Sequence, residues 1–371
     1  SLIEENDKLF EFLDNNGESI FNKLARTNPE SLKHVLNSNK VSQELLKIGQ
    51  KSCLMTAIEM SNDDLASAIL DSKSFSPELL LKQNENNQNA IMILIKLWTD
   101  GGIDMSATLT KLYQYLTPDL ILQRASDGLN TLAYMAILDP SNFLNIIETD
   151  IKVLKTALCQ VYVDKITMLC AICCMANTNI GSKLLQHNVV TSDILSKKFK
   201  NGSNILLELS GENPDLIVDI ISSEKCTPEL FNQVNSFGEN LLTKFVKNVN
   251  VVDEISELIF DRILNSKHIT KEHVNNVDKS GNTVLMLAAL KSEKFLKKVL
   301  DSKYFNIDLF SKQSRNGDNC FISACKSNNV AIIRTIGEHA SFTKEMFTIK
   351  SLISALESSN EIREYVINHP F

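Results

Sequence analysis

Apolar residues in this chain recur three and four apart, in short runs that are usually opened by Ser, Thr or Asn. That period belongs to a helix buried along one face. The runs come in pairs. Second helices are expected over 65–70, 216–221, 255–263 and 295–300, each behind an earlier apolar run. No segment alternates apolar and polar residues long enough to predict a strand.

The pairs share a frame. In Ser280-Gly-Asn-Thr-Val-Leu-Met-Leu-Ala-Ala289 and Asn316-Gly-Asp-Asn-Cys-Phe-Ile-Ser-Ala-Cys325, Gly is followed two positions later by a small polar residue. An apolar residue stands four positions after the Gly, and small or apolar residues at seven and eight. The frame also starts at Gly17, Gly128, Gly202 and Gly238, and with the Gly replaced at Gln50, Asn87, Lys165 and Thr348. Offset four then holds Phe21, Leu54, Ile91, Leu132, Leu169, Leu206, Leu242, Leu285, Phe321 and Leu352, all apolar. Offset two holds Ser19, Ser52, Asn89, Asn130, Thr167, Asn204, Asn240, Thr283, Asn319 and Lys350. All but Lys350 can accept a bond from an orphan amide, so offset two reads as a helix N-cap.

A third, shorter element closes each unit. Ser76-Pro-Glu-Leu-Leu80, Thr117-Pro-Asp-Leu-Ile121 and Thr227-Pro-Glu-Leu-Phe231 show it most clearly; Ser42, Thr191 and Thr343 open variants without Pro. A capping hydroxyl, Pro at the first helical position and an acid in the first turn start a helix. The expected architecture is therefore all-α: a single helical repeat solenoid of about ten units over 1–371, with an N-terminal cap helix over 1–16, repeats over 17–347 and a C-terminal capping repeat over 348–371.

Composition agrees with that class. The chain has 371 residues, 43% hydrophobic and 22% charged, with 12 Gly and 7 Pro. So few turn formers argue against a loop-rich β protein. The net charge of −7 disfavours nucleic acid or an anionic membrane as the main partner. The longest apolar run, 166–176, is too short to span a bilayer, so no membrane insertion is expected. Residues 1–6 lack the basic start and apolar stretch of a signal peptide, and the absence of an initiator Met suggests a longer native protein. The eight scattered cysteines fit buried thiols in a reducing cytosol, and the expected localisation is cytoplasmic.

The frame resembles the ankyrin repeat, whose signature sets Gly, then Thr-Pro-Leu-His, then Ala-Ala in the same register. Asp278-Lys-Ser-Gly-Asn-Thr-Val-Leu-Met-Leu-Ala-Ala289 matches best, although Val284 and Met286 stand where the signature has Pro and His. The family's β-hairpin connector is expected to be replaced here by the short capped helix. The divergent, Asn- and Lys-rich repeats are similar in style to those of effectors of intracellular bacteria, which would place the protein in a host cytosol.

The resemblance implies partner contacts from the connector tips and the exposed side of each first helix. In this frame those are the two residues before the Gly, the one after it, and offsets nine and ten. They are polar in the first and eighth units and turn apolar in the middle. The candidate partner-binding residues are Trp98, Leu129, Ile137, Leu138, Ile166 and Met175. They read either as an exposed patch that binds a protein or as side chains buried under insertions such as 99–107.

No catalytic signature accompanies them. Cys170 and Cys173 have metal-ligand spacing but no second ligand pair, and they fall where other units place packing residues. His34, His187, His268, His273, His339 and His369 mostly lie near helix ends or in connectors. Gly101-Gly102 lacks a following Gly-Lys-Ser/Thr, so no phosphate loop is predicted. No cofactor or metal is expected. The function predicted is a protein–protein interaction scaffold that binds a protein partner through its concave face, a host protein if the chain is the recognition part of a secreted bacterial effector. The alternative is the substrate-recognition region of a larger enzyme whose catalytic domain lies outside this chain.

Overall fold

The computed structural model describes residues 10–38, 41–101, 104–147 and 151–369. The chain is 60% helix, and the described residues contain no strand. No helix among them is long and apolar enough to cross a membrane. Most helices are near eight residues, which is marginal for an isolated helix in water. Their stability therefore comes from caps and from neighbours.

The caps sit where the frame puts them. Ser19, Ser52, Asn130, Asn204, Asn240, Thr283 and Asn319 each accept a backbone amide of the helix they open. Asn89 accepts from the amide of Met92 at 3.0 Å, and Thr167 from that of Cys170 at 3.3 Å. Nine of the ten offset-four residues, Phe21 through Phe321, are at most 1% exposed. The tenth differs. Thr348, not Lys350, caps the helix Ile349–Leu356, so the last frame starts two residues earlier than the sequence spacing suggests. Leu352 is then 40% exposed, and Ser351 and Ala355 face inward instead.

All six short elements form as expected, as one helical turn each: Gln43–Leu46, Pro77–Leu81, Pro118–Leu122, Pro228–Phe231, Ser192–Leu195 and Lys344–Met346. In the frames at Asn87, Gly128, Gly202 and Gly238 the short helix precedes a hydrogen-bonded turn and does not replace it, which corrects the expectation for those frames. Single antiparallel bridges join Leu13 to Ser19, Arg124 to Asn130, Val161 to Thr167 and Val277 to Thr283. Each spans offsets −4 to +2 around the frame Gly. Pro77–Leu81, Pro118–Leu122, Ser192–Leu195 and Pro228–Phe231 end before offset −4 of the next frame, whereas Gln43–Leu46 reaches that offset and Lys344–Met346 starts on it, counted from Thr348.

Within the turn, the frame residue donates back to offset −3, as Gly281 does to Asp278 at 2.9 Å. Offset −3 also donates to offset +1, as Asp278 does to Asn282 at 3.0 Å. Gly281 has φ +82°, a left-handed conformation where an L side chain costs energy, and a Cβ there would lie 2.8 Å from Ser314 Cα. Asn87 and Lys165 take the same conformation without being Gly, at φ 54° and 65°.

Two compact units divide the chain, where the sequence suggests one domain: 1–163 with 167–172, and 164–166 with 173–371. In the first unit the helices Ile20–Thr27, Cys53–Glu59, Ala90–Gly101 and Thr131–Leu138 pack in order on one another. Pro29–Leu36, Asp63–Asp71 and Ser106–Tyr113 form a second row. In the second unit Ile205–Glu212, Leu241–Asn248, Val284–Lys291, Cys320–Ser327 and Ile349–Leu356 pack in order, backed by a row from Thr178–Gln186 to Asn360–Asn368. Rings fill the space between those rows: Phe260 and Phe295 have centroids 4.6 Å apart, and Phe245 packs on both. Of the expected 1–16 cap helix, residues 1–9 lie outside the described ones, and 10–11 form a short 3₁₀ turn.

Candidate functional site: the turn tips and the first-helix face

The turns are tied to one another through main chain. The amide at offset −2 donates to the carbonyl at offset −1 of the preceding turn. In the first unit Ser126 donates to Asn86 at 2.8 Å. In the second unit Lys200 donates to Asp164, Ser236 to Asn201, Lys279 to Phe237 and Arg315 to Ser280, at 2.7–2.8 Å. The tips therefore form fixed rows whose side chains are left for other uses.

Beside the tips runs a slot built from offsets +1 and +9. Four frames fill it with an ion pair: Glu18 with Arg26 and Lys51 with Glu59 in the first unit, Glu239 with Lys247 and Asp318 with Lys326 in the second. Burial raises the Glu239 carboxyl, but bonds from Lys247 and Asn235 outweigh it and hold the group below its ordinary range. Lys326 and Lys350 do the same for Asp318 against its burial. The signal was available in the sequence as opposite charges eight apart. It was missed because eight residues is not a helical neighbour spacing; the turn folds offset +1 back over the helix.

Leu129 and Ile137 occupy the same slot in their frame, and Ile166 and Cys174 in theirs. Where other frames place charge, these place apolar side chains. Leu129, Ile137, Leu138 and Ile166 are half-buried. Leu129 and Leu138 pack together against the buried cluster of Met92, Ala125 and Tyr134. The Tyr134 hydroxyl donates to Asp127 at the turn tip and accepts from Gln88, and burial pushes it up to about 12. Trp98 and Met175 are more open, 37% and 46% exposed. Thus neither reading of the six residues holds throughout. The helix of Trp98 runs from Ala90 to Gly101, and residues 102–103 of the 99–107 insertion lie outside the described ones. Trp98, Leu129, Ile137 and Leu138 belong to the first unit, Ile166 and Met175 to the second. Ile166 lines a surface depression of about 340 Å³ with Asp164, Phe199, Lys200 and Asn201.

Cys170 and Cys173 are fully buried in the helix Met168–Met175, and burial raises the Cys173 thiol. His268 and His273 pack on the ring of Phe231. A depression of about 570 Å³ lies between the helices Glu293–Leu300 and Val330–Gly337. There Lys297 bonds Glu293 and holds its carboxyl low. No three His, Cys, Asp or Glu side chains among the described residues converge as a metal site. No family model matches the chain, and no curated protein matches it.

Proposed function

We propose that this chain is an ankyrin-like helical-repeat solenoid of about ten units that binds another protein, a scaffold and not a catalyst. One observation carries the reading. The +1/+9 slot recurs at the same frame positions, closed by ion pairs in four frames and filled by Leu129–Ile137 and Ile166–Cys174 in two others. Each of these pairs keeps at least one partner partly open to water, which holds its net contribution to stability modest. Half-exposed apolar side chains in their place gain more from a desolvating partner than from water. Rows of main-chain-linked tips support the reading too, because a fixed surface lowers the ordering cost of association.

In this proposal Trp98, Leu129, Ile137 and Leu138 form the contact on the first unit, and Ile166 and Met175 that on the second. The aromatic Trp98 is the expected anchor. The test is affinity capture from a eukaryotic cell lysate with the native chain and with Trp98→Ala combined with Met175→Asp. Both side chains are exposed enough to change without unfolding the protein. The expected result is a specific protein recovered by the native chain and reduced at least about tenfold by the pair. Equal recovery by both, at equal helical content, rejects this surface.

A further inference from the structure

We propose that the row of turn tips on the second unit binds an acidic, extended segment of a partner protein. The proposal rests on the reading of the chain as a protein-binding scaffold, but on residues other than the six named above. The turns of the second unit, up to each frame residue, run over 164–165, 197–202, 233–238, 276–281 and 312–317. They carry Lys165, Lys197, Lys198, Lys279, Lys312 and Arg315, all exposed and none in an ion pair among the described residues. Lys200 lies there too and bonds Asp164 at 3.0 Å, in a pair open to water on both sides. Asp164 is the one exposed acid of these segments. The other acid, Asp278, is buried, and its Oδ1 accepts the amides of Ser280 and Asn282. The row is therefore a basic strip on a chain whose net charge is −7. The tips of the first unit do not share it: offsets −2 and −1 hold no Lys or Arg there.

Apolar surface interrupts the strip. Phe237, at offset −1 between Lys200 and Lys279, is 61% exposed; Val234 and Val277, at offset −4 of its own turn and the next, are 46% and 40% exposed. Main-chain bonds from Ser236 to Asn201, Lys279 to Phe237 and Arg315 to Ser280 fix the tips in that order. Stacked helices lie about 8–10 Å apart, so equivalent tip residues repeat at about that distance. Every third residue of a polyproline-like segment returns to the same face after about 9 Å. An apolar residue of such a segment can therefore cover Phe237 while acids three and six positions to one side meet Lys279 and Arg315. An acid three positions to the other side meets Lys197, Lys198 and Lys200. The net charge selects this occupant over a nucleic acid or an anionic membrane. At physiological salt a charge is felt over about 8 Å, so a short acidic segment feels the strip alone. A longer polyanion, or a lipid plane, also meets the acidic remainder of the chain.

Fluorescence anisotropy tests this, with the full chain titrated into a labelled peptide Asp-Pro-Ala-Leu-Pro-Ala-Asp-Pro-Ala-Asp and into its reversed sequence. The expected result is a dissociation constant on the order of 10–100 µM at low salt for one of the two directions, weakened at least about fivefold at about 0.3 M salt. Lys279→Glu combined with Arg315→Glu should weaken binding at least about tenfold, and Phe237→Ser at least about threefold. Helical content should not change, because the links between tips run through main chain. Lys197→Glu combined with Lys198→Glu supplies a second charge reversal at a separate turn. Trp98→Ala combined with Met175→Asp should bind the peptide as the native chain does. Failure of the peptide with lysate capture intact therefore counts against this strip alone, and the converse counts against the other surface alone. No binding at about 1 mM chain overturns the proposal. So does binding indifferent to both charge reversals. A thymidine oligonucleotide of similar length, or phosphatidylserine vesicles, bound as tightly as the peptide overturns it too.

Discussion

The side-chain amide of Asn240 donates to the backbone carbonyl of His273 at 2.8 Å, while its own Oδ1 caps the helix Leu241–Asn248. The same double use recurs. Asn130 reaches the carbonyl of Ala157, Asn204 that of Leu230 and Asn319 that of Met346. Ser or Thr can cap a helix, but neither extends an NH₂ group to the next short helix. Asn240→Ser keeps the cap and loses the reach, and should cost about 1 kcal/mol; Asn240→Ala loses both and should cost about 2 kcal/mol. Urea denaturation of the two variants checks the order, and equal costs would leave the reach without energetic weight.

Gly281→Ala and Lys165→Gly should move stability in opposite directions. The alanine Cβ would sit 2.8 Å from Ser314 Cα and 2.9 Å from Arg315 N, backbone that also carries the bond to Ser280. A loss of about 2–4 kcal/mol is expected. Lys165 is held left-handed at φ 65°, a conformation that costs a residue with a Cβ, so Lys165→Gly should raise the melting temperature by about 1–3 °C. Calorimetry of both variants decides.

Acid should weaken the protein before its carboxylates titrate. Burial lowers His273, with His268 adding to the effect and Glu272 opposing it; burial also lowers His268, with Lys267 adding to the effect and a backbone bond at Cys226 opposing it. The folded state thus prefers both rings neutral. Their contribution is complete above the unfolded value of about 6.5 and declines as pH falls below it, because the unfolded chain takes up the protons first. Melting temperature measured from pH 7.5 to 5.5 should fall, and His268→Leu should flatten the fall. An unchanged slope in that variant assigns the effect elsewhere.

Thiol reagents should distinguish the cysteines by position. Cys53, Cys170, Cys173 and Cys320 are fully buried, and burial pushes the Cys53 thiol up to about 12. Cys159 and Cys174 are half-buried. At pH 8 the native protein should lose Cys159 and Cys174 to a charged disulfide reagent first, and the remaining thiols only on unfolding. Peptide mapping after brief labelling reads this out, and early labelling of Cys173 would contradict its packing.

The local grammar of the chain was legible because caps and helical periodicity act within a few residues. Thr227-Pro-Glu reads as a helix start in any context, and Leu206 or Leu285 at offset four reads as core. The tenth frame misled because Lys350 stands where a cap was sought, while the true cap, Thr348, lies two residues earlier. The hairpin turn was missed because a single bridge such as Val277 to Thr283 leaves no alternation to detect. The ion-pair slot required knowing how the turn folds Glu239 over Lys247. The exposure of Trp98 and the partial burial of Leu129 depend on which neighbours cover a side chain, and spacing alone carries no such information.

The bonds that join one turn to the next run from amide to carbonyl, as from Lys279 to Phe237 and from Ser236 to Asn201, and take nothing from the side chains at the tips. Any residue except proline can occupy the donor position without loss of the link. Phe, Ser, Asp and Asn already share the acceptor position at Phe237, Ser280, Asp164 and Asn201. Mutation at the tips is thereby uncoupled from mutation in the core. A lineage can rewrite what this surface presents, one tip at a time, while the inherited scaffold stays folded at each step.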